Sequence, residues 1–191
     1  MMGNVILVDE YDTPLGEIAK LEAHQKALLH RAVSVFVFNN HNKILLQKRA
    51  AGKYHSPDLW TNTACTHPFP NESNEAAVIR RLKEEMGITI NYVTKIFHFI
   101  YKEQLENGLT EYEFDHVFVG FSDELPIPDS DEVSDFDYVD IKEVLEQVKM
   151  LPQNYTVWFK KIIERVANEV SMDNNIKKYE TPMIVQKHKQ A

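Results

Sequence analysis

Glu72-Ser73-Asn74-Glu75-Ala76-Ala77-Val78-Ile79-Arg80-Arg81-Leu82-Lys83-Glu84-Glu85-Met86-Gly87-Ile88 reads as a helix with both ends marked. Ser73 offers a side-chain oxygen to the first free amides, and Gly87 supplies the left-handed residue on which helices stop. Between them Ile79, Leu82 and Met86 fall on one face, the spacing of a helix laid against a core. Two charged pairs, Arg80–Glu84 and Arg81–Glu85, stand four residues apart. In both the base precedes the acid, the less favourable order for pairs that only stabilise a helix. These charges therefore point to chemistry as well as to solvation.

Upstream of the helix, Trp60–Cys65 reads as a β-strand leading into Thr66-His67-Pro68. A spacing of two places Cys65 and His67 on one side of an extended chain. A thiol beside an imidazole is a reactive combination, although a lone cysteine is more often a buried structural residue. Downstream, Glu111 and Glu113 share the same spacing. Adjacent carboxylates repel and are tolerated when a metal or a proton sits between them; a solvated strand edge is the simpler alternative. His24 and His30 lie six residues apart in a polar stretch, on no clear periodic face. Taken together, His24, His30, His67, Glu111 and Glu113 form a nitrogen–oxygen set. It suits Mn²⁺, Mg²⁺ or Zn²⁺ and lacks the thiolates of a structural zinc site.

Around these motifs, strands and helices interleave. Asn4–Val8, Arg31–Phe38, Lys43–Lys48, Tyr92–Glu103, Tyr112–Phe121 and Phe136–Val139 read as strands, with a turn at Glu106-Asn107-Gly108. Ile141–Lys149 and Asn154–Asn168 read as helices, the second following Pro152. The pattern predicts a single α/β domain over 1–168 with a mixed sheet, then a loosely held polar tail over 169–191.

Composition narrows the function classes. The 191 residues carry a net charge of −8. Ten acids and one base fall between Asp123 and Glu146, read as a solvated loop and helix. No basic stripe for nucleic acid is present, and the longest apolar run, Ala32–Phe38, is far too short to span a membrane. One cysteine and a polar start without a secretory signal predict a cytoplasmic protein, monomeric or dimeric.

The helix motif resembles the Nudix box, a loop–helix–loop that binds metal-complexed diphosphates, with Glu72, Arg80, Glu84, Glu85 and Gly87 at matching positions. Two positions depart from it: Thr66 replaces the leading glycine, and Arg81 replaces the first helix glutamate, a metal ligand. Both departures match one branch of that superfamily. From Asn4 to Asn168 the chain resembles type I isopentenyl-diphosphate Δ-isomerase, through Leu59–Pro68, Glu72–Leu82 and Glu111-Tyr112-Glu113.

The resemblance implies a Nudix-type α/β/α sandwich, an isoprenoid diphosphate substrate and a carbocation mechanism. It assigns proton transfer to Cys65 and Glu113, with Tyr101 as relay partner, and places Trp158 against the cationic centre. Lys20, Arg49, Lys53, Thr66 and Arg81 match diphosphate contacts. The divalent ion falls to the His/Glu set, and Glu85 matches the holder of a second Mg²⁺ that bridges to the substrate phosphates. Two rivals remain: a Nudix pyrophosphohydrolase of nucleotide derivatives, against which Arg81 and Cys65 speak, and a catalytically silent diphosphate- or metal-binding module.

Overall fold

A computed structural model describes residues 3–172, so most of the tail expected over 169–191 lies outside the described residues. The chain begins with β1 (Asn4–Val8), β2 (Pro14–Ala19), α1 (Lys20–Gln25), β3 (His30–Phe38) and β4 (Lys43–Arg49). Two short strands, β5 (Trp60–Thr61) and β6 (Ala64–Thr66), precede α2 (Asn74–Met86). Then come β7 (Thr94–Gln104), β8 (Thr110–Phe121), β9 (Val133–Asp140), α3 (Ile141–Met150) and α4 (Val157–Met172).

β3 is the axis of the molecule. Its β-branched and aromatic run alternates sides, as a strand buried on both faces must. Val33, Val35 and Val37 join Ala77, Val78, Leu82 and Met86 of α2 in one apolar cluster. Phe36 and Phe38 join Trp158, Phe159, Ile162, Ile163 and Val166 of α4 in the other. Helices thus cover both faces of a mixed sheet, giving the expected α/β/α sandwich.

Along one edge of β3, β8 runs parallel from His30–Glu113 to Phe38–Phe121. The other edge is shared in turn by β1, β6 and β4, all antiparallel. Cys65 on β6 lies opposite Ser34, so β6 and β8 flank β3 from its two sides.

Several boundaries differ from the sequence reading. The predicted strand Trp60–Cys65 is two strands interrupted at Asn62 and Thr63. The Thr63 hydroxyl accepts from the Val37 amide at 2.8 Å and donates to the Leu45 carbonyl at 2.6 Å. It thereby stitches β3 to β4 where the two diverge; they pair directly only at Val37–Leu45 and Phe38–Ile44.

The polar stretch holding His24 is β2 and α1, an exposed edge strand and a six-residue helix, both too short or too solvated to leave a periodic pattern. The last helix starts at Val157, after a 3₁₀ turn at Pro152–Asn154, and continues past Asn168 to Met172. The acidic segment is not only loop and helix, since Asp135, Asp137 and Asp140 lie on β9, paired with β4.

The box helix ends as its sequence demands. The Ser73 hydroxyl accepts from the Ala76 amide at 3.1 Å, and Gly87 sits at φ 68° with its amide on the Lys83 carbonyl. The carbonyls of Glu85 and Met86 accept from Asp129 and Ile127 at 3.0 and 2.9 Å, which satisfies acceptors that a helix end leaves free. A Cβ at Gly87 would stand 2.6 Å from the Ile127 carbonyl oxygen. Left-handed strain and this close approach add, so Gly87→Ala should lose about 2 kcal/mol or more of stability. Urea unfolding with an unchanged slope but a lower midpoint is the expected result.

Candidate active site

Glu111, Glu113 and Asp115 occupy alternate positions of β8 and are all buried. Their shared face, expected for Glu111 and Glu113, turns toward α4 rather than toward solvent. The Tyr101 hydroxyl on neighbouring β7 lies 2.7 Å from Glu113 Oε2 and 2.9 Å from Glu111 Oε2. A phenol has one proton to donate, so both contacts are hydrogen bonds only if one carboxyl is protonated. Burial, with the Glu113 charge beside it, pushes Glu111 up to about 8. At Glu113 burial works the same way, but the imidazoles of His30 and His67 beside it outweigh burial and hold the carboxyl well below its usual range. One proton on the pair satisfies both contacts, with the Tyr101 hydroxyl donating to one carboxylate and accepting from the other carboxyl.

Three imidazoles face Glu113. The α1 helix carries Lys20 and His24 four residues apart, hence on one side, a signal present in the sequence though short. The His24 Nδ1–H points at the Lys20 carbonyl at 2.7 Å, and the His30 Nδ1–H at the Leu28 carbonyl at 2.8 Å. These carbonyls fix both tautomers, leaving each Nε2 with a bare lone pair. The His24 Nε2 is buried and has no hydrogen-bond partner among the described residues. His67 Nε2 lies 3.2 Å from His30 Nε2 and 2.9 Å from Glu113 Oε1, and burial drives its pKa down to about 3. One donor atom from each of His24, His30, His67 and Glu113 falls within 4.8 Å of the others. Neutral, lone-pair-bearing imidazoles converging on a carboxylate fit a divalent cation. Glu111 stands outside this foursome, between Tyr101 and His55, whose Nε2 is 3.8 Å away.

Cys65, Tyr101, Trp158 and the carboxylates line one pocket. Burial pushes the Cys65 thiol up to about 12. The Trp158 indole N–H donates to Asn62 Oδ1 at 3.2 Å, so the break between β5 and β6 also orients this ring. Arg49 lies 5.4 Å above the Trp158 ring and donates to the carbonyls of Ser56 and His55 at 3.0 and 3.1 Å. It thus holds the β4–β5 loop and the indole together. The loop brings in Tyr54 and His55, which the sequence reading did not single out.

The NUDIX domain matches residues 28–164. A protein of Aromatoleum aromaticum named isopentenyl-diphosphate Delta-isomerase 2 is 47% identical over 168 residues, covering 88% of each chain. One of the same name from Photorhabdus laumondii is 52% identical over 163 residues, covering 85% of this chain and 92% of that one. The chain belongs to the isopentenyl-diphosphate Delta-isomerase family, within the Nudix fold. Among solved structures, DR0079 of Deinococcus radiodurans shares the fold at TM-score 0.69 and 18% identity, over 85% of this chain and 98% of that one.

In this Delta-isomerase family member the pocket adjoins a second basin bordered by Arg80, Glu84 and Glu132, with Lys20, Lys53, Cys65, Thr66, His67 and Arg81 among the residues lining both. Arg81 is half-buried among acids: it pairs with Glu85, with Glu132 at 2.6 Å and with Glu84 at 3.4 Å. Lys53 also pairs with Glu132, a partner unmarked by any motif. Glu85 accepts from Gln47 at 2.7 Å and does not join the histidine cluster. Arg80 instead grips Glu72 through two bonds of 2.7 and 2.9 Å, bracing the start of the box. No helix among the described residues is long and apolar enough to cross a membrane.

Two outcomes are expected of this geometry. His24→Ala should lower bound divalent metal, read by elemental analysis after gel filtration; full occupancy would remove His24 from the site. With the thiol raised, the thiolate fraction stays small at pH 8 and grows as pH climbs toward 12. Iodoacetamide should therefore modify Cys65 of the metal-stripped protein at least about ten-fold more slowly at pH 8 than an ordinary thiol.

Proposed function

We propose that this protein interconverts isopentenyl and dimethylallyl diphosphate by adding a proton to one carbon and removing another from a second. The observation that carries the mechanism is the placement of Cys65 and Glu113 in one pocket on strands flanking β3. Those strands lie two strand spacings, about 10 Å, apart, and along β3 Cys65 stands opposite Ser34 and Glu113 opposite His30, so the two groups approach a flat five-carbon chain from different sides and different heights of the pocket. Protonation of the terminal methylene carbon leaves a cation on the methyl-bearing carbon. Loss of a proton from the next methylene then forms the internal double bond. One group gives a proton and the other takes one, so turnover in either direction begins with a single proton shared across the pair.

Tyr101 passes that proton along the carboxylates it bridges. The Trp158 ring faces the cationic carbon, where its π-electrons stabilise positive charge. Lys20, Arg49, Lys53, Thr66 and Arg81 hold the diphosphate; Lys53 and Arg81 exchange their Glu132 partner for phosphate oxygens. His24, His30, His67 and Glu113 would hold a divalent ion, Mn²⁺, Mg²⁺ or Zn²⁺, which Glu111 would join only by turning from Tyr101, and Glu85 would hold a Mg²⁺ that accompanies the diphosphate. Bound there, a cation supplies positive charge that orients Glu113 and makes its proton more acidic.

Against the hydrolase reading stands Arg81, a cation at the position of the box's first carboxylate ligand and already encircled by acids. Isomerisation in deuterated water separates the two: wild type should place deuterium in the allylic product without releasing phosphate. Phosphate release without allylic product would overturn the proposal. Glu113→Gln keeps a carbonyl oxygen but has no carboxyl proton, so it should still bind the diphosphate while losing turnover and deuterium incorporation. Cys65→Ser should keep fold and metal and lose about 10²–10⁴-fold in rate.

A further inference from the structure

Tyr54 has no part in the proton-transfer pair, the histidine cluster or the diphosphate contacts assigned above. It sits on the β4–β5 loop, whose course is set by Arg49 and by left-handed backbone at Ser56 (φ 47°) and Asp58 (φ 58°). Its ring stands edge-on to His55 at 4.4 Å, and the Lys20 ammonium lies 5.7 Å from the ring centre. Its hydroxyl is buried and has no hydrogen-bond partner among the described residues. Buried hydroxyls are nearly always paired, because an unpaired one forfeits its hydration. Phenylalanine would fill the same space without that cost.

Tyr54 also lines both cavities. On one side is the chamber of Tyr101, Glu113 and Trp158; on the other is the basin of Arg80, Glu84 and Glu132; Lys53, Cys65 and Arg81 stand with Tyr54 on the border that the two share. On the isomerase reading, a prenyl diphosphate spans both, and the phosphate attached to carbon falls at the neck between them. We propose that the Tyr54 hydroxyl donates a hydrogen bond to an oxygen of that carbon-linked phosphate, and so sets how deeply the hydrocarbon enters between Cys65 and Glu113. A neutral donor suits the neck: it marks the phosphate end without placing a further cation beside the developing carbocation.

The test compares metal-loaded wild type and Tyr54→Phe by calorimetric titration with isopentenyl diphosphate in Mg²⁺, by steady-state isomerisation and by thermal unfolding. The variant should bind about ten-fold or more weakly, the usual loss for a hydrogen bond to a charged group, and kcat/KM should fall at least as far. Bound metal should be unchanged. The unfolding midpoint should stay level or rise, because an unpaired buried hydroxyl has been removed. Unchanged affinity and kcat/KM would overturn the proposal and leave Tyr54 as a space-filling ring. A lowered midpoint with a matching loss of metal would overturn it as well, making the hydroxyl structural. If wild type binds isopentenyl diphosphate without isomerising it, the isomerase reading fails while the affinity ratio still judges Tyr54.

Discussion

Two carboxylates buried side by side on one strand cannot both stay charged without a proton or a cation between them. Glu111 and Glu113 meet that constraint through Tyr101 on one side and the imidazoles of His30 and His67 on the other. Each partner comes from a different segment: β7, the start of β3, and the chain just after β6. The remaining histidine arrives on α1, carried there by the β1–β2 hairpin. The N-terminal elements, which add little to the apolar clusters on either face of the sheet, are thus tied to the site by its electrostatics.

The frame for this charge is the central strand. β3 is buried on both faces and paired along both edges, which makes it the least deformable part of the sheet. Groups hung from β6 and β8 are therefore held at a separation set by backbone hydrogen bonds rather than by flexible loops. Thr63 and Asn62, polar residues in the break between β5 and β6, serve the same rigidity: one ties β3 to β4, the other ties the Trp158 indole to the sheet.

The box helix has kept its scaffold while its charge pattern has changed. Ser73 and Gly87 close its ends, and Arg80 clasps Glu72. At position 81 an arginine meets Glu84, Glu85 and Glu132, and Lys53 shares the last of these. Basic groups already held by acids are poised to exchange a carboxylate for an incoming anion without collecting anions indiscriminately, in a chain whose net charge is −8.

Much of this was legible in the order of residues. The capped helix, the β-branched run of β3 and the Asn107-Gly108 turn report local preferences, and local preferences survive in the folded chain. The two-residue spacing of Glu111 and Glu113 reported a shared face, because the period of a strand is independent of context. Other features could not be read there. Whether that face met water or a buried tyrosine depended on β7 and α4 closing over it. Asn62-Thr63 looked like more strand until β3 and β4 diverged and needed a polar stitch. Tyr54, His55 and Glu132 belong to no periodic element, so their places follow from the β4–β5 loop and the turn before β9. Sequence by itself determined the elements, their faces and the chemistry available. Tertiary structure alone decided which charges are neutralised by which, because hydration penalties and pairing energies exist only once burial and partners are set.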